Sequence, residues 1–322
     1  MDFGVLISNL TNPTLLFFAL GIFAAVVKSD LEIPPGSVKF ISLYLLFAIG
    51  FKGGQELAHS TFSIEIFYSL LFGVLVASLV PLYTFFILKR KLSVSDAAAV
   101  AAAYGSVSAV TFVAATSFLE AQQIVFGGEM VAVMALMESP AIVVAVILMM
   151  RYSDEAKGPG ELKNIVKHAF TNGSVLMVLG SLFIGLIADS KQAEGIKPFT
   201  TDIFKGFLAI FLLEMGMVTA KRFGAFRKYG LFATGFAIVV PLVNGCLIAV
   251  ISGLVTTNVG NRFIFAILAA SASYIAVPAA MQFAAPKADP GLYIPMAIGV
   301  TFPLNITIGI PLYLAVVNWT HF

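Results

Sequence analysis

Ten apolar segments follow one another along this chain, at roughly 13–28, 37–51, 62–88, 94–119, 128–150, 171–188, 201–219, 229–255, 262–283 and 291–318. An α-helix needs about 20 mostly apolar residues to cross the hydrocarbon core of a bilayer. The second segment is short for a full span, and the third and eighth are long enough to tilt. Composition agrees: 59% of residues are hydrophobic and 11% charged, against about 45–50% apolar and 25% charged in soluble domains. That leaves too little polar surface to close around one core in water. Within lipid every backbone polar group must be satisfied internally, which leaves helices or closed barrels. Barrel-like alternation is absent, so the predicted fold class is an all-α membrane protein of ten transmembrane helices.

The net charge of +2 argues against nucleic acid as a partner. The single cysteine, Cys246, falls inside an apolar run and excludes both a disulfide frame and a Cys/His metal site. The start, "MDFGVLISNLTNP", lacks the basic region of a cleaved signal, so the first helix is expected to remain in the mature protein.

The most polar stretch, "RYSDEAKGPGELKNIVKH" from Arg151 to His168, divides the chain near its middle. The halves on either side resemble each other. "YSLLFGVLVASLVPLY" answers "YGLFATGFAIVVPLV"; "LYLLFAIGFKGG" faces "FLAIFLLEMGMVTA"; "YGSVSAVTFVAA" faces "SASYIAVPAA"; "LMESPAIVVAVIL" faces "GVTFPLNITIGIPL". These matches in one order predict a first repeat over 1–151, a cytoplasmic linker over 152–168 and a second repeat over 169–322. Five spans per half is an odd number, so the halves enter the membrane from opposite sides, the inverted-repeat plan of many secondary transporters.

Orientation follows from Lys and Arg. Loops after the odd-numbered segments hold fourteen of them, counting Lys28, Lys39, Lys89–Lys91, Arg151 and the linker lysines among others; the opposite side holds five, Lys52, Lys191, Lys197, Lys205 and Arg262. This puts the odd loops in the cytoplasm and both termini outside, in a plasma (cell inner) membrane.

Two segments carry small polar interruptions. In the fourth it is Gly105, Ser106, Val107 and Ser108; in the ninth it is Ser271, Ala272, Ser273 and Tyr274. A break at membrane depth survives only where protein or a cavity covers it. It also creates a helix N-terminus, whose free N–H groups carry about half a positive charge and suit an anion. Gly105 permits a turn and a close approach, and the serines add hydroxyl donors. Pro278 is expected to free an upstream carbonyl. Close helix packing through small residues is the competing reading of either motif, but two copies at equivalent places favour an anion held between opposed tips.

Glu138 and Glu214 lie inside apolar segments. A carboxylate at the bilayer centre costs at least about 2.5–3.5 kcal/mol, and no Lys or Arg lies at comparable depth. A cation or proton is the obvious counter-charge. Glu138 and Ser139 precede Pro140; the corresponding stretch of the other half supplies Thr301 and Asn305 around Pro303, and Thr111 lies in the fourth segment. Together these oxygens suit a hard ion, here Na⁺. A protonated structural carboxyl is the alternative for Glu138, and helix–helix bridging is the alternative for Asn305. His59, His168 and His321 fall at segment ends or in loops, which weakens an imidazole catalyst within the membrane.

At these residues the chain resembles the sodium-dependent bicarbonate transporter family of cyanobacterial carbon concentration. The likeness is carried by "AAAYGSVSAVTFVAA", "ALMESPAI", "ASASYIAVPAAM" and "PGLYIPMAIGVTFPLNITIGIPLYL". It implies a five-plus-five inverted repeat in which a core domain (62–150 plus 229–318) moves against a gate domain (13–51 plus 171–219), with bicarbonate and co-transported Na⁺ near the broken helices. Some members are held by a small trimeric PII-like regulatory protein at the cytoplasmic linker; Ser153 to Lys167 is short, so that regulator is left open, as is a homo-oligomer. The expected function is Na⁺-coupled bicarbonate uptake by alternating access. The rivals are a Na⁺-independent facilitator or channel for a small anion, an intramembrane serine enzyme and a receptor or scaffold with a regulatory pocket. The enzyme reading lacks a base at membrane depth.

Overall fold

The computed structural model describes residues 12–59, 63–153, 167, 171, 173–226 and 230–320. Most of the central linker, with His168, and both chain ends lie outside the described residues. Among the described residues, seven helices are long and apolar enough to cross a membrane: Pro35–His59, Ile64–Leu88, Val94–Ala121, Glu129–Tyr152, Pro198–Lys221, Gly230–Leu254 and Pro290–Trp319. Three further apolar helices among those residues, Pro13–Val26, Gly173–Ile187 and Val259–Ala270, are shorter than a full span. Every predicted apolar segment thus overlaps a helix, the fourth and ninth being interrupted, and the chain is a multi-pass membrane protein.

In chain order the helices are α1 (Pro13–Val26), α2 (Pro35–His59), α3 (Ile64–Leu88), α4 (Val94–Gly105), α5 (Ala109–Ala121), α6 (Glu129–Tyr152), α7 (Gly173–Ile187), α8 (Phe204–Phe226), α9 (Gly230–Ile251), α10 (Val259–Ala270), α11 (Ala276–Ala284) and α12 (Pro290–Trp319). The second segment runs past the predicted end at 51 to His59. Lys52, Gln55 and Glu56 read as a helix end in sequence, but each has a place along the folded helix. Gln55 donates to the Gly185 and Ala188 carbonyls, Lys52 pairs with Glu120 at 2.5 Å, and Glu56 lines a cleft.

The helices sort into two groups by packing. In one, α1 lies against α8 and α2 against α7. Each crossing is made by glycines. A Cβ on Gly21 would overlap the Leu213 carbonyl and one on Gly216 the Phe18 carbonyl; Gly54 and Gly185 stand in the same relation to Leu182 and Phe51. Absent side chains let the backbones approach, and van der Waals contact then holds helices that lipid cannot drive together.

In the other group α3 packs on α4 and α6, while α9 packs on α10 and α12. Both α4 and α10 run through the middle, with Ala97–Gly105 and Gly260–Ala270 buried along their lengths. Surrounded by helices on all sides, α4 has room for little beyond alanine. Arg262, counted as a loop residue in sequence, is buried in the first turn of α10. There it donates to the Ala249 carbonyl at 2.8 Å and to Thr320 Oγ1 at 2.6 Å.

Prolines inside these helices have consequences that can be followed atom by atom. Pro241 in α9 cannot donate to the Ala237 carbonyl one turn back; Thr301 Oγ1 donates to it instead, at 2.8 Å. Because the Thr301 proton is engaged there, the Tyr104 hydroxyl donates to Thr301 Oγ1, at 2.7 Å. α12 carries Pro295, Pro303 and Pro311 and widens into π turns at Ala297–Thr301 and Asn305–Gly309. Such bulges accommodate missing donors and recur at functional sites.

Candidate anion-binding site

Both predicted interruptions are breaks in the backbone helix. α4 ends at Gly105, and Ser106 and Val107 are non-helical. Ser108 caps α5, its Oγ accepting from the Thr111 amide at 3.1 Å. α10 ends at Ala270, and residues 271–275 are irregular before α11 begins at Ala276. The two breaks touch. The Ser108 amide donates to Ser271 Oγ at 2.9 Å, and the Ser273 amide donates to the Ala103 carbonyl at 2.8 Å. Ser271 in turn donates to the Leu268 carbonyl at 2.9 Å. Each break therefore satisfies backbone groups that the other exposes, which is how irregular backbone persists inside the packed group.

Beside this crossing lies a pocket lined by Leu46, Val107, Ser108, Ala109, Glu138, Ser174, Ser273, Tyr274 and Ile275. Two helix N-termini meet there. The first-turn amides of a helix have no intrahelical partner, and at α5 Ser108 Oγ takes up the third of these. Those of Ala109 and Val110, and that of Ala276 at α11, remain available to a ligand. Each tip contributes about half a positive charge. Pro278 falls in the first turn of α11. Its missing N–H is one no helix bond needed, so it suits the helix start rather than freeing a carbonyl as its sequence suggests.

Three buried hydroxyl oxygens near the crossing, Ser106 Oγ, Ser139 Oγ and Tyr274 Oη, have no hydrogen-bond partner among the described residues. Tyr274 stands beside Ser108, outside bonding geometry. An unsatisfied buried polar atom costs about 1–3 kcal/mol, so three near one crossing point to partners that the described residues do not supply. Glu138 reaches the same pocket from α6. The helix continues unbroken through Pro140, which leaves the Leu136 carbonyl without its helical donor.

The structure divides the sequence-predicted residues. Val107, Ser108, Ser273 and Tyr274 line the pocket, and so does Glu138. Gly105 packs against the Pro81 ring and Ala141. Ser106, Ser271 and Ala272 are buried and are not among the pocket's lining residues. Thr111 is buried in the first turn of α5, and Ser139 adjoins Glu138 on α6. Thr301 and Asn305 sit on α12 with their polar atoms engaged by protein. Asn305 Nδ2 donates to the Ala270 carbonyl at 2.7 Å, and Tyr313 donates to Asn305 Oδ1 at 3.0 Å. A cation there would share Oδ1 with Tyr313. Glu214, half-buried on α8, lies within electrostatic reach of Lys221 and Glu32 rather than in the pocket. Leu46 and Ser174 are pocket residues that sequence reasoning missed, because nothing local marks them.

Asn305 closes the freed end of α10. Asn305→Ala strands the Ala270 carbonyl and leaves the Tyr313 hydroxyl only the Pro241 carbonyl, at 3.3 Å, at a cost of about 1–3 kcal/mol. Thermal unfolding in detergent will show a melting temperature several degrees lower; an unchanged value would mean these bonds do not hold the crossing.

Compared with known families, residues 13–318 match the model of the Na⁺-dependent bicarbonate transporter superfamily. No curated protein matches the chain.

Proposed function

The chain belongs to the Na⁺-dependent bicarbonate transporter superfamily, and we propose that it takes up bicarbonate by Na⁺-coupled alternating access at the crossing of its two broken helices. It is a membrane transporter, not an enzyme. The observation that carries the reading is the pocket where the N-termini of α5 and α11 meet beside Ser108 and Ser273. It offers amides and hydroxyls with about one unit of positive partial charge between two helix tips. A monovalent oxyanion suits that set, and neither Lys nor Arg lines it.

Glu138 supplies the reason for coupling. A carboxylate beside an anion repels it unless a cation intervenes, and oxygen ligands suit Na⁺. We assign the coupling ion to Glu138 with Ser139 and Thr111, while Thr301 and Asn305 hold the surrounding backbone or complete the ligand set. Each ligand then raises the affinity for the other, and the coupling is reciprocal. A tenfold Na⁺ gradient supplies about 1.4 kcal/mol, enough for about tenfold accumulation per ion. With one Na⁺ per bicarbonate the voltage adds nothing; a second Na⁺ adds about 2.3 kcal/mol per 100 mV.

The packing supports the inverted repeat. The first helix of each half lies against the second helix of the other, α1 on α8 and α7 on α2, each through a glycine crossing. The third helix packs alike in both halves, α3 on α4 and α6, α9 on α10 and α12. On this plan the core (62–150 plus 229–318) moves against the gate (13–51 plus 171–219), with odd-numbered loops in the cytoplasm and both termini outside a plasma membrane.

The test is uptake of labelled bicarbonate into proteoliposomes with and without an inward Na⁺ gradient. Stimulation by Na⁺ supports symport. Equal uptake without Na⁺ refutes it and leaves a facilitator. Ser273→Phe fills the pocket and will reduce uptake more than tenfold while the protein remains monodisperse; normal uptake would move the site elsewhere.

A further inference from the structure

At the far end of α5 from the pocket, a second cleft lies between the two helix groups. It is lined by Lys52 and Glu56 of α2, Thr116 and Glu120 of α5, Lys205 in the first turn of α8 and Thr200 just before it, among others. Glu120 bridges the groups. One carboxylate oxygen meets Lys52 Nζ at 2.5 Å and the other lies 3.7 Å from Lys205 Nζ. The 13 residues of α5 separate Glu120 from Ser108 by about 18 Å along the helix. The anion pocket, by contrast, includes Ser174 in the first turn of α7, the end of that helix opposite its contact with Gln55. The charged cluster and the pocket's Ser174 thus lie toward opposite ends of α7.

We propose that Glu120, held by Lys52 and Lys205, is a latch that keeps the core closed against the gate on the α8-entry side while the pocket opens toward the other. The inference rests on the alternating-access reading above, because the latched pair spans the two groups that move in it. Its strength is bounded. The three side chains are 42%, 39% and 57% exposed, and exposed ion pairs are weak and screened by salt. A weak latch is suited to a cycle that must open it at every turnover.

The experiment uses the full chain in detergent. Cys246 is the only native cysteine, so a Cys246→Ser background carries one reporter, Thr116→Cys, in the cleft below Glu120. Its reaction with a membrane-impermeant methanethiosulfonate is followed in 10 mM and 500 mM choline chloride. Glu120→Gln should raise the low-salt rate two- to fivefold, Lys52→Gln and Lys205→Gln each by a smaller factor. High salt should raise the rate of the latched protein and leave that of Glu120→Gln flat. Equal rates with and without the Glu120 substitution, or no salt dependence in the latched protein, would overturn the latch. Adding Na⁺ with bicarbonate separates the two ideas. A rate that answers those ions but not Glu120→Gln leaves alternating access standing without the latch. A rate that answers Glu120→Gln but not the ions leaves the latch and removes the reading beneath it.

Discussion

Gly216→Val will leave little folded protein to assay. The position lies where α8 crosses α1, and a Cβ there would overlap the Phe18 carbonyl oxygen and press on the Ile22 amide and the Gly21 Cα. These neighbours are backbone, so no rotamer change makes room. Overpacking a tight core costs about 1–3 kcal/mol and more where the backbone must shift, against a total stability of about 5–15 kcal/mol. The equivalent substitution at Gly54, facing the Leu182 carbonyl, should behave alike. Fluorescence-detected size exclusion after expression will show the loss as a collapsed monodisperse peak, with any surviving protein melting well below wild type. Gly206→Ala and Gly235→Ala are the controls, since nothing lies within 4 Å of a Cβ at either; both should melt at or slightly above wild type, alanine being the better helix former by up to about 1 kcal/mol. Wild-type behaviour of Gly216→Val would mean that α1 and α8 do not meet as described.

Glu138→Gln will uncouple anion uptake from Na⁺. Glu138 projects into the pocket that holds the two helix tips and has neither an ion pair nor a hydrogen-bond partner among the described residues. At membrane depth an unpaired carboxylate is costly, and glutamine preserves its shape without its charge. If Na⁺ is the counter-charge, the amide removes the electrostatic reason for the ion to bind. Uptake at saturating Na⁺ should then fall at least tenfold and the remainder should no longer respond to Na⁺. Parallel measurement of labelled Na⁺ and labelled bicarbonate entry makes the outcome explicit. Retained Na⁺ dependence would move the coupling ion away from Glu138, and Asn305 with Thr301 would be the next set to test.

Much of this crossing was legible because its signals are local. Gly105, Ser106 and Ser108 are out of place in an apolar helix, and the structure breaks the helix there with Ser108 as its cap. The second break was legible through likeness to the first. What could not be read was distance between elements. Leu46 and Ser174 reach the pocket from helices remote in sequence and carry no mark of it. Lys52, Gln55 and Glu56 ended the second segment too early because hydropathy registers their polarity and not their partners across the fold. Pro278 was misread because a missing donor means different things in the first turn of a helix and in its interior.

The bonds from Ser108 to Ser271 and from Ser273 to Ala103 have a further consequence. They button the two interruptions together front and back, so neither tip can swing away without stranding backbone groups in a place that water does not reach. On the alternating-access reading proposed above, the seat for the cargo is therefore carried rather than remodelled. Shape selectivity would then be decided once, by a cradle of fixed outline, and the surrounding scaffold would decide only which side of the bilayer that cradle faces.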